Sequence, residues 1–214
     1  MKHLIGVYDY TVVLTYISLL SAIAGIIQAS EGNFGSAVAC VAFSGFCDAF
    51  DGAVARTKKD RTEDEKSFGL QLDSLCDVIS FGVVPAYICY QMGVDGQFGI
   101  AAVFLYTLCA LIRLAFFNVL EMKRQQTETG KNQFYRGLPV TAISIIFPVI
   151  YLAGKRASAD TFVVMLHIML IVVAFLFVLD FRVRKPDWDR FLRCRKAQRV
   201  SVAGTAGAYE EDEL

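Results

Sequence analysis

The sequence predicts an all-α integral membrane protein built as a bundle of six transmembrane helices. Three observations carry that expectation. The 214 residues are 55% hydrophobic with a mean hydropathy of +0.47, too apolar for a water-soluble domain of this size. Apolar stretches near the roughly 20 residues a bilayer crossing needs recur along the chain. Basic residues gather at alternate ends of those stretches.

The first span is expected at 11–28. It follows Met1-Lys2-His3 and runs up to Ala29-Ser30, a pattern shared with secretory leaders. Its apolar run is longer than a leader core and further spans follow, so it is read as a retained helix. The second span, 34–55, carries Asp48 and Asp51 near its end. The polar stretch TKKDRTEDEKSF is expected as a loop, and the third span, 70–92, carries Asp73 and Asp77. The fourth, 98–120, contains Arg113; the fifth, 138–154, opens on Gly137-Leu138-Pro139; the sixth, 161–181, contains His167. Short gaps make residues 1–181 one membrane domain. Residues 182–214 form a basic tail in which Pro186, Trp188, Phe191 and Leu192 suit a short amphipathic helix lying on a membrane surface.

With the N-terminus cytoplasmic, 19 of the 21 Lys and Arg residues fall on the cytoplasmic side, Lys155 and Arg156 being the exceptions. The formal net charge of zero therefore hides a basic inner face. Anionic lipid headgroups lie closer to that face than any nucleic acid, so membrane lipids are the expected partner and nucleic acid is not. The expected location is multi-pass in a cytoplasmic membrane of bacterial type, with both termini and the site on the cytoplasmic side. Six cysteines show no finger-like or C-x-x-C spacing and are read as packing residues. His3 and His167 have no ligand-like neighbours in sequence.

The aspartates need a reason, because a carboxylate inside a span costs about 2.5–3.5 kcal/mol near the helix centre. Asp48 lies eight residues before Arg56, about 12 Å along a helix. Asp73 and Asp77 lie a similar depth beyond Gly69 on the returning helix. Asp48, Asp51, Gly52 and Ala55 share one face of the second span, and Gly69, Asp73 and Asp77 form a stripe on the third. Gly52 and Ala55 leave a groove beside the acids. Four carboxylates converging on a groove repel one another unless cations sit between them. An all-oxygen set without histidine favours Mg2+ or Mn2+, with Cys47 and Cys76 leaving a softer metal open.

Asp48-x-x-Asp51-Gly52-x-x-Ala55-Arg56 followed by Gly69-x-x-x-Asp73-x-x-x-Asp77 resembles the signature of the CDP-alcohol phosphotransferases. Twelve residues separate Arg56 from Gly69, a longer gap than the family's usual pattern has. The run Leu72-Asp73-Ser74-Leu75-Cys76-Asp77 through Ser80-Phe81-Gly82 to Pro85-Ala86, the segment Arg113-Leu114-Ala115-Phe116-Phe117-Asn118, and Gly137-Leu138-Pro139 are similar to the serine-using branch of that family. Phe116 stands where that branch has an arginine.

The resemblance implies a six-span homodimeric enzyme with a CDP-alcohol phosphotransferase-like bundle. It would transfer a phosphatidyl group from CDP-diacylglycerol to L-serine and release CMP, using two divalent cations, Mg2+ or Mn2+. Asp48, Asp51, Asp73 and Asp77 would be the metal residues, with Asp77 also the general base. Asp48, Gly52, Ala55, Arg56 and Gly69 would hold the CDP-lipid, and Arg113 and Arg136 the acceptor's carboxylate. Sister enzymes acting on glycerol 3-phosphate, inositol or inositol phosphate share the two-helix signature, and a cation transporter would also place acids within spans.

Overall fold

A computed structural model describes residues 6, 10–55, 62–127 and 134–184. Seven α-helices follow one another: α1 (Val13–Ser30), α2 (Phe34–Ala55), α3 (Glu63–Asp77), α4 (Val84–Gln91), α5 (Gly96–Thr127), α6 (Ile143–Gly154) and α7 (Ala159–Val178). Short 3-10 turns, Tyr10–Val12 and Val140–Ala142, lead into α1 and α6, and a π-helical turn, Val78–Val83, joins α3 to α4 without a break. Five of these stretches are long and apolar enough to cross a membrane: Val13–Ser30, Phe34–Asp51, Glu63–Gln91, Gly96–Lys123 and Ala159–Val178. Val140–Gly154 is a shorter apolar helix. The chain is thus the expected all-helical membrane bundle, with one addition that the sequence reading lacked: a two-stranded ribbon of β1 (Phe134–Arg136) and β2 (Arg182–Arg184).

The chain divides into two compact units, Met1–Gly130 with Arg136–Phe181, and Lys131–Tyr135 with Arg182–Leu214. The first unit holds all seven helices. Of the second, the described residues are strand residues, and the expected amphipathic segment around Trp188 lies outside the described residues.

In lipid no hydrophobic gain draws apolar helices together, so small residues and interhelical hydrogen bonds must do it. α1 buries Thr15, Ser18, Ala22, Gly25 and Ala29, a stripe of small side chains at helical spacing. That stripe lets α2 approach closely. The Ser44 hydroxyl donates to the Ser18 carbonyl at 2.9 Å, the Ser18 hydroxyl returns the bond to the Ser44 carbonyl at 3.3 Å, and the Ser21 hydroxyl donates to the Cys40 carbonyl at 2.9 Å. One residue beyond Ser44, Gly45 meets α6 so closely that any β-carbon there would run into Ser144.

The continuous rod Glu63–Gln91 forms the centre of the bundle: 61% of its apolar window is buried, against 28–33% in the other spans. It begins earlier than expected. The Thr62 hydroxyl accepts from the Glu65 N–H while the Glu65 carboxylate accepts from the Thr62 N–H, a reciprocal cap that starts the helix at Glu63. The second half of the expected loop, Glu63 to Phe68, is therefore helix.

At the other end of α3 the rod widens. Pro85 is fully buried in the first turn of α4 and has no N–H to give the carbonyl of Phe81 four residues back. The Val84 N–H instead donates five residues back, to Ile79. The Phe81 carbonyl accepts from the Tyr106 hydroxyl of α5 at 2.6 Å, and both residues are fully buried. Tyr106 also packs its ring 5.7 Å from that of Phe177 on α7. Phe147, Ile143, Leu166 and Leu170 complete the core around this point. Outward, side chains such as Phe98, Leu20, Phe104, Ile145 and Phe175 are largely exposed, a surface suited to acyl chains and not to water.

Candidate functional site

Asp48 from α2 and Asp73 and Asp77 from α3 bring one carboxylate oxygen each to within 4.8 Å of one another. The i, i+4 spacing stacks Asp73 over Asp77 on one face of α3, and Asp48 reaches them from the neighbouring helix. Asp48 and Asp73 are half-buried, and the Asp77 carboxyl is the deepest-set of the three. Asp51, one turn after Asp48, lies outside this trio but close enough to Asp73 for a hydrogen bond between the two carboxyls. Two carboxyl groups in such contact must share a proton or a cation, because two anions cannot bond each other.

This donor set fits a hard divalent cation. All the offered ligand atoms are carboxylate oxygens, and they lie within 4.8 Å of one another, a separation that two oxygens bound to one such ion at 2.0–2.6 Å can have. Cys47 and Cys76 are buried beside the aspartates in sequence but are not members of the group.

The remaining residues singled out from sequence take the following places in the chain. Gly52 and Ala55 lie in the last turn of α2, and Ala55 ends it. Arg56 lies outside the described residues. Gly69 sits one turn before Asp73 on α3. Arg136 ends β1 and leads into Gly137.

Arg113 is buried on α5 and does not snorkel toward headgroups. Its Nε donates to the Leu138 carbonyl at 3.1 Å, and Asp180 is near enough to act on its charge. Gly137, at φ +70°, donates its N–H to the Phe181 carbonyl at 2.6 Å, and a β-carbon there would stand 3.0 Å from the Leu179 carbonyl and 3.3 Å from Arg113 Nη1. Only glycine meets both demands. Arg113, the Gly137-Leu138-Pro139 loop and the end of α7 are thus knit into one structure.

The sequence model for CDP-alcohol phosphatidyltransferase matches residues 10–182. The chain belongs to this family. Among similar curated proteins, an archaetidylserine synthase of Methanothermobacter thermautotrophicus is 33% identical over 162 residues, covering 74% of this chain and 65% of the relative. A CDP-diacylglycerol–serine O-phosphatidyltransferase of Saccharomyces cerevisiae is 35% identical over 119 residues, 54% of this chain and 42% of the relative. One of the same description from Helicobacter pylori is 32% identical over 151 residues, 70% and 60%. The alignments thus cover 42–65% of the length of these three relatives.

Two further ties hold the rod that carries the acids, one through Ser74 and one through Tyr106. The Ser74 hydroxyl, next in sequence to Asp73, donates to Asn118 Oδ1 of α5 at 2.7 Å. Both residues stand in the stretches quoted for the resemblance, yet sequence alone gave no sign that they meet. Tyr106 is the second, and nothing in its apolar surroundings marks it except that a phenol in a span needs a partner.

Proposed function

We propose that this chain transfers a phosphatidyl group from CDP-diacylglycerol to the hydroxyl of L-serine, giving phosphatidylserine and CMP. The observation that carries the reading is the convergence of Asp48, Asp73 and Asp77, from two different helices, in a protein whose other membrane-facing surface is apolar. The serine assignment is supported by these relatives, each of which is named for serine or a serine lipid.

Asp48, Asp51 and Asp73 would hold two divalent cations, Mg2+ or Mn2+, with Asp77 completing the set. Cations held there would neutralise the charge of a diphosphate and polarise the attacked phosphorus. Asp77 accepts the proton from the serine hydroxyl, whose oxygen bonds to phosphorus as the bond to the CMP oxygen breaks. Gly52 and Ala55 leave room for the nucleotide beside α2, with Gly69 on the facing helix, and Arg56 meets phosphate. Arg113 or Arg136 pairs with the serine carboxylate, using the planar fork that glycerol and inositol would leave without a partner.

In this reading the site faces the cytoplasm of a bacterial-type membrane, the enzyme is a homodimer, residues 1–181 are the catalytic domain and 182–214 a tail on the inner leaflet. A donor with archaeal lipid chains is the second reading, favoured by the archaetidylserine synthase among the relatives. The test is to supply purified protein with CDP-diacylglycerol, Mn2+ or Mg2+, and serine, glycerol 3-phosphate or inositol, and to identify the lipid formed. Serine incorporation with stoichiometric CMP is expected. Preference for another alcohol would defeat the acceptor assignment, and turnover restricted to the archaeal donor would establish the second reading.

A further inference from the structure

Asp77 is the last residue of α3 before the π turn, so the geometry of that turn sets where its carboxylate points. The turn has a local cause in Pro85, which has no N–H to give the Phe81 carbonyl in an α-turn and crowds it with the pyrrolidine ring. An unpaired carbonyl in lipid costs several kcal/mol. The Tyr106 hydroxyl removes that cost from outside the helix, at 2.6 Å and in full burial. A π turn shifts the phase of the following helix by about one residue, or roughly 100°. Whatever stabilises it therefore decides how α3, with its acids, is rotated relative to the packed rod of α4.

A second tie from the same helix lies on the other side of Asp77. Ser74 is bonded to Asn118 of α5, so the acid sits between two side-chain attachments to one helix, Ser74–Asn118 and Phe81–Tyr106. Ser80, within the turn, is fully buried and its hydroxyl bonds nothing among the described residues. The turn is therefore held through Phe81 and not through Ser80.

We infer that Tyr106 is a positioning residue of the carboxylate centre: by holding the Phe81 carbonyl it maintains the π turn and keeps Asp77 within reach of Asp48 and Asp73. This rests on the proposed reading of the three acids as a cation site. Partners that orient metal-binding groups typically change metal affinity by about 10–100-fold when removed.

The test is Mn2+ binding to the purified full-length chain in detergent, followed by electron paramagnetic resonance of free Mn2+ without lipid substrate. Tyr106→Phe keeps the ring against Phe177 and removes the hydroxyl alone; Mn2+ affinity is expected to fall roughly tenfold. Ser80→Ala, which deletes a hydroxyl that bonds nothing, is expected to bind Mn2+ as the parent does. Pro85→Ala returns an N–H to the Phe81 carbonyl and favours an ordinary α-turn, so it should weaken Mn2+ binding as well. The double variant should be no weaker than the worse single one, because both act through one turn.

Parent-like affinity in Tyr106→Phe overturns the inference while leaving the cation site standing. If that variant does not accumulate as folded protein, Pro85→Ala decides, and parent-like affinity there overturns it equally. A parent chain that binds no Mn2+ removes the cation reading itself, and the inference with it.

Discussion

Replacing Gly137 by alanine probes the loop that holds Arg113. The backbone there sits at φ +70°, a left-handed conformation that costs an alanine about 1 kcal/mol more than glycine. The added methyl would stand 3.0 Å from the Leu179 carbonyl, 3.3 Å from Arg113 Nη1 and 3.4 Å from its Cζ. Crowding of this kind costs about 1–3 kcal/mol. A stiffer unfolded chain returns about 0.4–1 kcal/mol. The net expectation is a loss of about 2 kcal/mol, read as a fall of several degrees in thermal unfolding of the detergent-solubilised protein. The methyl displaces the guanidinium and the Leu138 carbonyl it bonds, so the serine KM should rise while the CDP-diacylglycerol KM changes little. An unchanged melting temperature with unchanged serine KM would refute the claim that this loop needs glycine and that Arg113 serves the acceptor.

Other substitutions separate the remaining roles. Asp77→Asn keeps size but can neither take a proton nor lend its charge to a cation, so turnover should fall by about 10²–10⁴-fold even where Mn2+ is raised to saturation, whereas Asp48→Asn or Asp73→Asn should weaken Mn2+ and donor binding together and recover turnover as Mn2+ is raised; equal recovery in all three would abolish this division. Arg113→Lys should raise the serine KM alone, and serinol, lacking the carboxylate, should be a poor acceptor; rapid turnover of serinol counts against the serine site. Thr62→Ala removes half of a reciprocal cap and should cost about 0.5–2 kcal/mol, visible as faster amide exchange at the start of α3 and not elsewhere.

Much of the fold was legible because a bilayer forces helices and penalises stray charge, so apolar length and the four misplaced aspartates spoke directly. Face and depth singled out Asp48, Asp51, Asp73 and Asp77; three of them, Asp48, Asp73 and Asp77, come together, and Asp51 stands outside that trio. What escaped was either local chemistry overruled by a composition habit or contact between distant segments. Thr62-Glu63-Asp64-Glu65 was read as loop because it is charged, although its T-x-x-E spacing is the signal that starts α3. Pro85 was noted as part of a run, but that its missing N–H would be answered by a phenol 21 residues along the chain in α5 is a matter of packing. Gly137 was legible as a loop residue, its closeness to Arg113 was not.

The short apolar helix Val140–Gly154, at the place of the expected fifth span, has a consequence for the bilayer. Three residues of 3-10 helix and twelve of α-helix reach about 24 Å, against a hydrocarbon core of about 30 Å. The deficit of about 6 Å must be met by thinning of the lipid around it or by polar chain dipping below the headgroups, each at a fraction of a kcal/mol per Å. The chain entering this helix is Gly137-Leu138-Pro139, so on the proposed reading the dimple would open where a water-soluble alcohol would descend to meet a lipid-borne diphosphate. Turnover should then respond to the length of the surrounding acyl chains even when the donor's own chains are held constant, the membrane's thickness acting as a parameter of the reaction.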